Sequence, residues 1–460
     1  MSKCFKCTTN KNPLEYTCGE KIVFTVSARE NRRDIGCRFV KWTLATDDGK
    51  TDSGFGACWG GHPLVIETTL DKPGFARITC TAYNENYAPA SGFQVLDASA
   101  GADVDKLSYL DTVPDDFDKY WSDLKAMVDN FNCELISSTE VTSGVPEGIK
   151  CYDIRISTPE GRPASGYLSI PQKQGKYPIL LTLLGYTVVG AWTVHQPDAI
   201  SLCLNAHGIE NGLCRTESEL KYKDELENYG FSVEENSSNM TAYWRGMMMR
   251  DLIALKYLKS LPQWDGENIT VTGGSQGAFQ STVMASVDRD VTFLDIQVPW
   301  FCNMRAEQHG FIKGWRPQFA EGLRYFDTVA HAMRVKCPVK MRIGLGDYTC
   351  PPASTMTLYN TFNCEKSVDV VQALPHALDL PPEDQHFYKS NSEVKPGKYR
   401  HFKGNEYEVL GTALDSESCQ KVVIYKALYG EEKVWVRPEH MFKEYIFHNG
   451  KFVKRFEHID

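Results

Sequence analysis

Three residue types that together perform acyl transfer occur in one order along this chain: Ser275, Asp347 and His376. Ser275 lies in Gly273-Gly274-Ser275-Gln276-Gly277, a G-x-S-x-G pattern that follows β-rich residues 269–272 and runs into a helical stretch. That is the signature of a nucleophile elbow, a strand-to-helix turn sharp enough to lift the hydroxyl clear of a sheet. A serine hydroxyl is a poor nucleophile at neutral pH. A histidine must accept its proton, and a carboxylate must hold that imidazole in the useful tautomer.

The elements that would carry these partners can be read from the same stretch. Residues 338–347 read as a strand ending in Gly346-Asp347, and Cys350-Pro351-Pro352 suits a helix start. Residues 368–374 form another apolar run with β-branched residues, closed by Pro375-His376. Of the eleven histidines, His386 and His401 also follow Asp347, but neither directly ends such a run, so His376 ranks first and His386 second. The remaining need is a cradle for the negative oxygen of a tetrahedral intermediate. One amide would come from Gln276, after the serine. The other would come from Tyr186, after the apolar strand at 177–184 and Gly185. An ordinary turn serine, an aspartate serving as a helix N-cap and a surface histidine are the competing readings of the individual residues.

These motifs resemble the acetyl xylan esterase and cephalosporin C deacetylase family, carbohydrate esterase family seven. The resemblance runs through Pro114-Asp115-Asp116-Phe117-Asp118-Lys119-Tyr120-Trp121, Tyr243-Trp244-Arg245-Gly246, the Gly273–Gly277 elbow, and Gly346-Asp347 with Cys350-Pro351-Pro352. It covers about residues 100 to 390 and implies an α/β-hydrolase fold with Ser275, Asp347 and His376 as triad and the amides of Tyr186 and Gln276 as oxyanion hole. It also implies an esterase that deacetylates sugars such as xylo-oligosaccharides without a metal or organic cofactor, and a possible homo-oligomer whose assembly the extra end domains could block or redirect. Where the family carries histidine, glycine and tyrosine at the oxyanion loop, this chain has Leu184-Gly185-Tyr186, and Ala377 follows the histidine. The polar support beneath that loop is expected to differ. A peptidase or thioesterase on the same fold, and a non-catalytic carbohydrate-binding protein, are the alternatives.

At 460 residues the chain exceeds what one hydrophobic core holds, and 42% apolar residues suffice for packed interiors. A net charge of −9 without a basic stripe argues against a nucleic-acid partner. The N-terminus lacks the apolar core of a signal peptide, and no run of eighteen apolar residues suggests a membrane partner. A cytoplasmic location is the expectation. Fifteen scattered cysteines fit reduced, buried thiols better than a disulfide framework, and Cys4-x-x-Cys7 is a lone pair, too few ligands for zinc.

Three domains are expected: 1–98, 99–390 and 398–460. The first shows short β runs between turns, such as 21–26 and 75–82, the pattern of an immunoglobulin-like sandwich. It would brace the catalytic domain or bind carbohydrate, with Trp42 and Trp59 as stacking candidates. The second alternates strands near 177–184, 199–205, 269–272, 291–298 and 339–345 with helices, the clearest at 240–261, as a largely parallel sheet requires. His207 reads as a loop histidine with a backbone partner, or as one that reaches a substrate. Trp300 would lie on the rim of the elbow, either packing or walling a substrate pocket. The third resembles a small bacterial domain family of unknown function, with short β runs suggesting a barrel-like fold. It would bind a ligand or the catalytic domain and is joined through a polar linker at 390–397.

Overall fold

The computed structural model describes residues 2–3, 5–28, 38–58, 62–90, 93–378, 385–416 and 420–459. Trp59, Cys4 and residues 379–384 lie outside the described residues.

The apolar runs of the middle region assemble into a ten-stranded sheet in the order 135–141, 149–156, 164–171, 200–205, 177–183, 264–274, 293–297, 339–344, 366–371 and 386–390. The strands from Ile200–Asn205 to Lys366–Val371 run parallel, and the outer strands at both ends are antiparallel. The central strands are buried on both faces, Tyr177–Leu183 and Ile200–Asn205 almost throughout, because helices cover the sheet. The helix Tyr243–Ser260 buries Met247, Met248, Leu252, Leu255 and Leu258. It stops where Leu261 takes an extended conformation, since the residue before Pro262 is disfavoured in the helical region. This is the α/β-hydrolase arrangement. The edge strand His386–Ser390 was not expected. It pairs with Lys366–Val371 and supplies the tenth strand.

Residues 5–102 form two sheets, one of Phe5–Thr9, Ile22–Ala28 and Leu64–Thr68, the other of Thr51–Ala57, Phe39–Thr46, Gly74–Tyr83 and Leu96–Ala102. Their alternating inward residues, among them Phe24, Val26, Val40, Ile66, Ile78 and Ala98, share one core. Trp42 packs against that core, over Gly54. The boundary expected at residue 98 falls inside Leu96–Ala102, because pairing with Gly74–Tyr83 continues to Ala102. Residues 397–458 form a five-stranded antiparallel sheet, 434–438, 421–427, 406–414, 397–401 and 456–458, where a barrel was expected. Phe442, from the short helix Glu439–Lys443, fills its concave side with Tyr399, Val409, Val423, Tyr425 and Phe456. A separate hairpin, Tyr445–His448 with Lys451–Lys454, leaves this sheet and packs on the central domain.

Candidate active site

Five neighbouring parallel strands end on one rim, and each delivers a residue singled out in the sequence. Tyr177–Leu183 leads to Gly185-Tyr186, Trp264–Gly274 to Ser275, Phe293–Gln297 to Trp300, Val339–Gly344 to Asp347, and Lys366–Val371 to His376. Ser275 adopts φ 56° and ψ −119°, a conformation that costs a non-glycine residue about 1–3 kcal/mol and that the surrounding packing must hold. Both flanking glycines are required by contact. A β-carbon on Gly273 would overlap the backbone of Gly277, and one on Gly277 would overlap the Leu183 carbonyl.

The His376 imidazole bridges the other two groups, with Nε2 3.0 Å from Ser275 Oγ and Nδ1 2.8 Å from Asp347 Oδ2. The second oxygen of Asp347 accepts the backbone N–H groups of Thr349 at 3.0 Å and Cys350 at 2.9 Å. The aspartate therefore fastens the turn before the helix Pro352–Thr361 and orients the imidazole at once. Because Nδ1–H donates to the carboxylate, the Nε2 lone pair faces the serine hydroxyl. Asp347 is buried, while His376 retains a side open to solvent. His386 is elsewhere, paired with Asp369 at 2.9 Å. The structure thus brings together Ser275, Asp347 and His376, and leaves His386 out.

The amide of Gln276 opens a helix, where first-turn N–H groups have no intrahelical acceptor. Across from it, the α-carbon of Gly185 lies close enough that a β-carbon there would sit 3.9 Å from the Ser275 Cβ. The loop after Gly185 is held by polar groups that the sequence did not single out. The Leu184 carbonyl accepts Gln280 Nε2 at 3.0 Å. The Tyr229 hydroxyl donates to Gln276 Oε1 at 2.8 Å and accepts the Thr187 N–H at 3.2 Å. His207 has a backbone partner, the Thr187 carbonyl, 2.7 Å from Nε2, and Nδ1 meets the Tyr243 hydroxyl at 2.6 Å. Burial pushes the His207 pKa down to about 3, so the ring is neutral, donating through Nε2 and accepting through Nδ1. These groups form the polar support of the oxyanion loop in this chain. The one available signal was Gln280, a polar residue one turn after Gln276 in a helix buried on all sides.

Trp300 is buried and packs beneath Trp315, with which it lines a small recess. Its N–H reaches the Ser275 carbonyl at 3.2 Å, and its indole nitrogen donates to the Trp315 carbonyl at 2.5 Å. The exposed ring over it is Trp315, 43% accessible, stacked on Trp300 at 5.4 Å and edge-on to Tyr186 at 4.7 Å. It lies in irregular chain without periodicity, so nothing in the sequence marked it. Cys350 Sγ stands with donor atoms of Asp347 and His376 inside a 4.8 Å group, and a cation there would compete with the proton of His376. The twelve described cysteines are all free thiols, and no described helix is long and apolar enough to cross a membrane.

Comparison with known proteins agrees with this architecture. The acetyl xylan esterase family matches residues 102–309 and 315–392, skipping 310–314, and the family of unknown function DUF1653 matches residues 397–458. The acetyl esterase Axe7A of Xylanibacter ruminicola is 27% identical over 338 residues, spanning 69% of this chain and 74% of that protein. Among solved structures, an acetyl xylan esterase from Paenibacillus sp. R4 superposes with a TM-score of 0.50 at 20% identity, covering 60% of this chain and 93% of its own. Acetyl xylan esterase 1 from Thermoanaerobacterium sp. JW/SL YS485 gives 0.48 at 18%, covering 60% and 93%. The chain belongs to the acetyl xylan esterase family and is an acetyl esterase, a carboxylic ester hydrolase on the α/β-hydrolase fold.

Proposed function

We propose that the chain is a serine esterase that removes acetyl groups from sugar hydroxyls, with xylo-oligosaccharides or similar short carbohydrates as substrates. Ser275 Oγ attacks the acetyl carbonyl while His376 Nε2 takes its proton, and Asp347 steadies the imidazolium that results. The amides of Gln276 and Tyr186 receive the oxyanion. His376 then protonates the leaving sugar alcohol, and later takes a proton from the water that frees acetate and restores the serine. The observation that carries this reading is the imidazole held between hydroxyl and carboxylate at 3.0 and 2.8 Å. The sugar preference rests on the family and on the exposed ring of Trp315, whose face suits the C–H surface of a pyranose.

Fluorophosphonate labelling tests the mechanism. The native chain should be modified at Ser275, and Ser275→Ala should be unlabelled and lose acetate release by about 10⁴-fold or more, the scale of losing a nucleophile. Labelling elsewhere, or an active Ser275→Ala, would reject it. Acetate release from acetylated xylo-oligosaccharides, cephalosporin acetates, and butyryl and peptide reporters tests the substrate, and a preference for the last two classes would overturn the deacetylase reading.

A further inference from the structure

We infer that the N-terminal sandwich is part of the substrate site's framework: Asp47 positions the segment that presents Trp315 to substrate. The inference rests on the proposed deacetylase reading for the substrate, and on the geometry alone for the clamp.

Asp47 follows the strand Phe39–Thr46, in the turn that leads to Thr51–Ala57, and is buried although it belongs to a domain-surface turn. One carboxylate oxygen accepts the Phe75 N–H at 2.7 Å within the sandwich. The other accepts the Ile312 N–H of the central domain at 2.9 Å. Lys72, from the same end of the sandwich, donates to the His309 carbonyl at 3.4 Å and stands 5.3 Å over the Phe311 ring. These contacts fall on 309–312, and the family match skips 310–314. Phe311 and Ile312 lie between the two matched stretches, and His309 is the last residue of the first.

Three residues further on, the clamp meets the site. The Trp315 N–H donates to the Thr349 carbonyl at 3.0 Å, two residues beyond Asp347, and its own carbonyl receives the Trp300 indole. Trp300 in turn donates its backbone N–H to Ser275. A connected path thus runs from Asp47 through Ile312 and Trp315 to the residues beside the serine and the aspartate. An irregular segment fixed at both ends loses less freedom when substrate binds, so its rings are ready for a sugar face. Releasing one end should weaken binding of substrates large enough to touch Trp315 and spare those that are not. Asp47 acts through Trp315 and does not touch the reacting atoms.

The test uses the full chain and compares acetylated xylobiose with 4-nitrophenyl acetate. Asp47→Asn keeps the shape but turns one acceptor into a donor facing an N–H. It should raise KM for acetylated xylobiose about 5–10-fold, with kcat and the small-ester constants changed less than about 2-fold. Trp315→Ala should raise the same KM. The double variant should be no worse than Trp315→Ala alone, since both changes act on one element. Amide hydrogen exchange of 310–316 should speed at least about 10-fold in Asp47→Asn, while the sandwich strands stay protected. Lys72→Met, at a partly exposed site, should show the same pattern more weakly and serves if Asp47→Asn fails to fold. Unchanged exchange at 310–316, additive KM effects, or equal losses on both esters would overturn the inference. A native enzyme that cleaves 4-nitrophenyl acetate but not acetylated xylobiose would instead reject the substrate reading, and the exchange result would still decide the clamp.

Discussion

The two end domains look alike in sequence, both short β runs between turns, yet they attach to opposite rims of the central sheet. The N-terminal sandwich meets the carboxyl ends of the strands. There Ser99 Oγ donates to the Leu345 carbonyl at 2.6 Å and contacts the Tyr348 hydroxyl at 2.7 Å. Gln372 Nε2 reaches the Ser99 carbonyl at 3.1 Å, and the Arg77 guanidinium lies 3.8 Å over the Tyr348 ring. Tyr348 adjoins Asp347, and Gln372 begins the segment that leads to His376. The C-terminal hairpin meets the amino ends. Phe452 stacks on Phe293 at 4.6 Å, Lys340 stands 5.2 Å over Phe452, and Lys451 reaches Asn268 at 3.4 Å. One attachment is polar and touches the loops that hold the chemistry. The other is largely apolar and lies a sheet's length away. The position of an accessory domain, more than its fold, decides whether it can influence catalysis.

That comparison breaks most visibly at Ser99. Ser99→Ala removes only the hydroxyl and strips the buried Leu345 carbonyl and Tyr348 hydroxyl of a partner, a cost of about 1–3 kcal/mol for each such group. The cost falls on the loop of Asp347, so kcat should drop about 10- to 100-fold on large and small esters alike. This separates Ser99 from Asp47, whose effect is on KM. A Ser99→Ala enzyme with native kcat and only a lower Tm would show the sandwich to be a brace without catalytic consequence.

The opposite rim should give the opposite result. Asn449 and Gly450 take φ of 50° and 77° at the hairpin tip, and a β-carbon on Gly450 would overlap the Asp198 carbonyl and crowd Pro178. Gly450→Ala should undock the hairpin, and Phe452→Ala should remove its stacked ring. Each should cost about 1–3 kcal/mol in denaturant unfolding while leaving kcat and KM within about 2-fold. A change in kcat from either would mean that the sheet transmits strain from one rim to the other.

The residues that meet at the site were legible because each ends a strand with a local signature: the glycines around Ser275, Gly346 before Asp347, and the apolar run closed by Pro375 before His376. The parallel order followed from strands alternating with helices. Distance along the chain hid the rest. Asp47 and Ile312 are 265 residues apart, and Ser99 and Leu345 are 246 apart. In a sandwich, a turn aspartate and a strand serine read as side chains facing water until their partners are known. Trp300 and Trp315 were indistinguishable by composition, since burial of the first depends on the second lying over it. The expected barrel at 397–458 came out as an open sheet because Phe442, from a helix, closes the core that a sixth strand would otherwise have covered.

The smallest expected effect is a pH dependence confined to the N-terminal attachment. Burial pushes the Asp47 carboxyl up to about 6, against the pull of the Ile312 and Phe75 N–H groups and of Lys72, with Asp48 adding to the rise and the Tyr348 phenol also within its field. Above that pH both oxygens accept an amide. Below it one carries a proton and accepts poorly, which loosens the grip on Ile312 or Phe75. Global stability moves the other way. An unfolded aspartate titrates near about 3.9, so between about 4 and 6 the folded chain holds a proton that the unfolded chain does not. This group's stabilising contribution is full below about 4 and is lost as pH rises through about 6. Lowering the pH from 7.5 to 5.5 should therefore raise KM for acetylated xylobiose about 2-fold without this group lowering Tm, and the rise should be absent in Asp47→Asn. Titration outside the clamp acts on both enzymes alike, so their difference isolates the clamp. The C-terminal contact carries the Lys454–Glu365 ion pair at 2.9 Å, but at the rim away from Trp315, so Phe452→Ala should track the native KM profile at every pH. A native KM that is flat across this range, or an Asp47→Asn profile that still bends near 6, would place the titrating group outside the clamp.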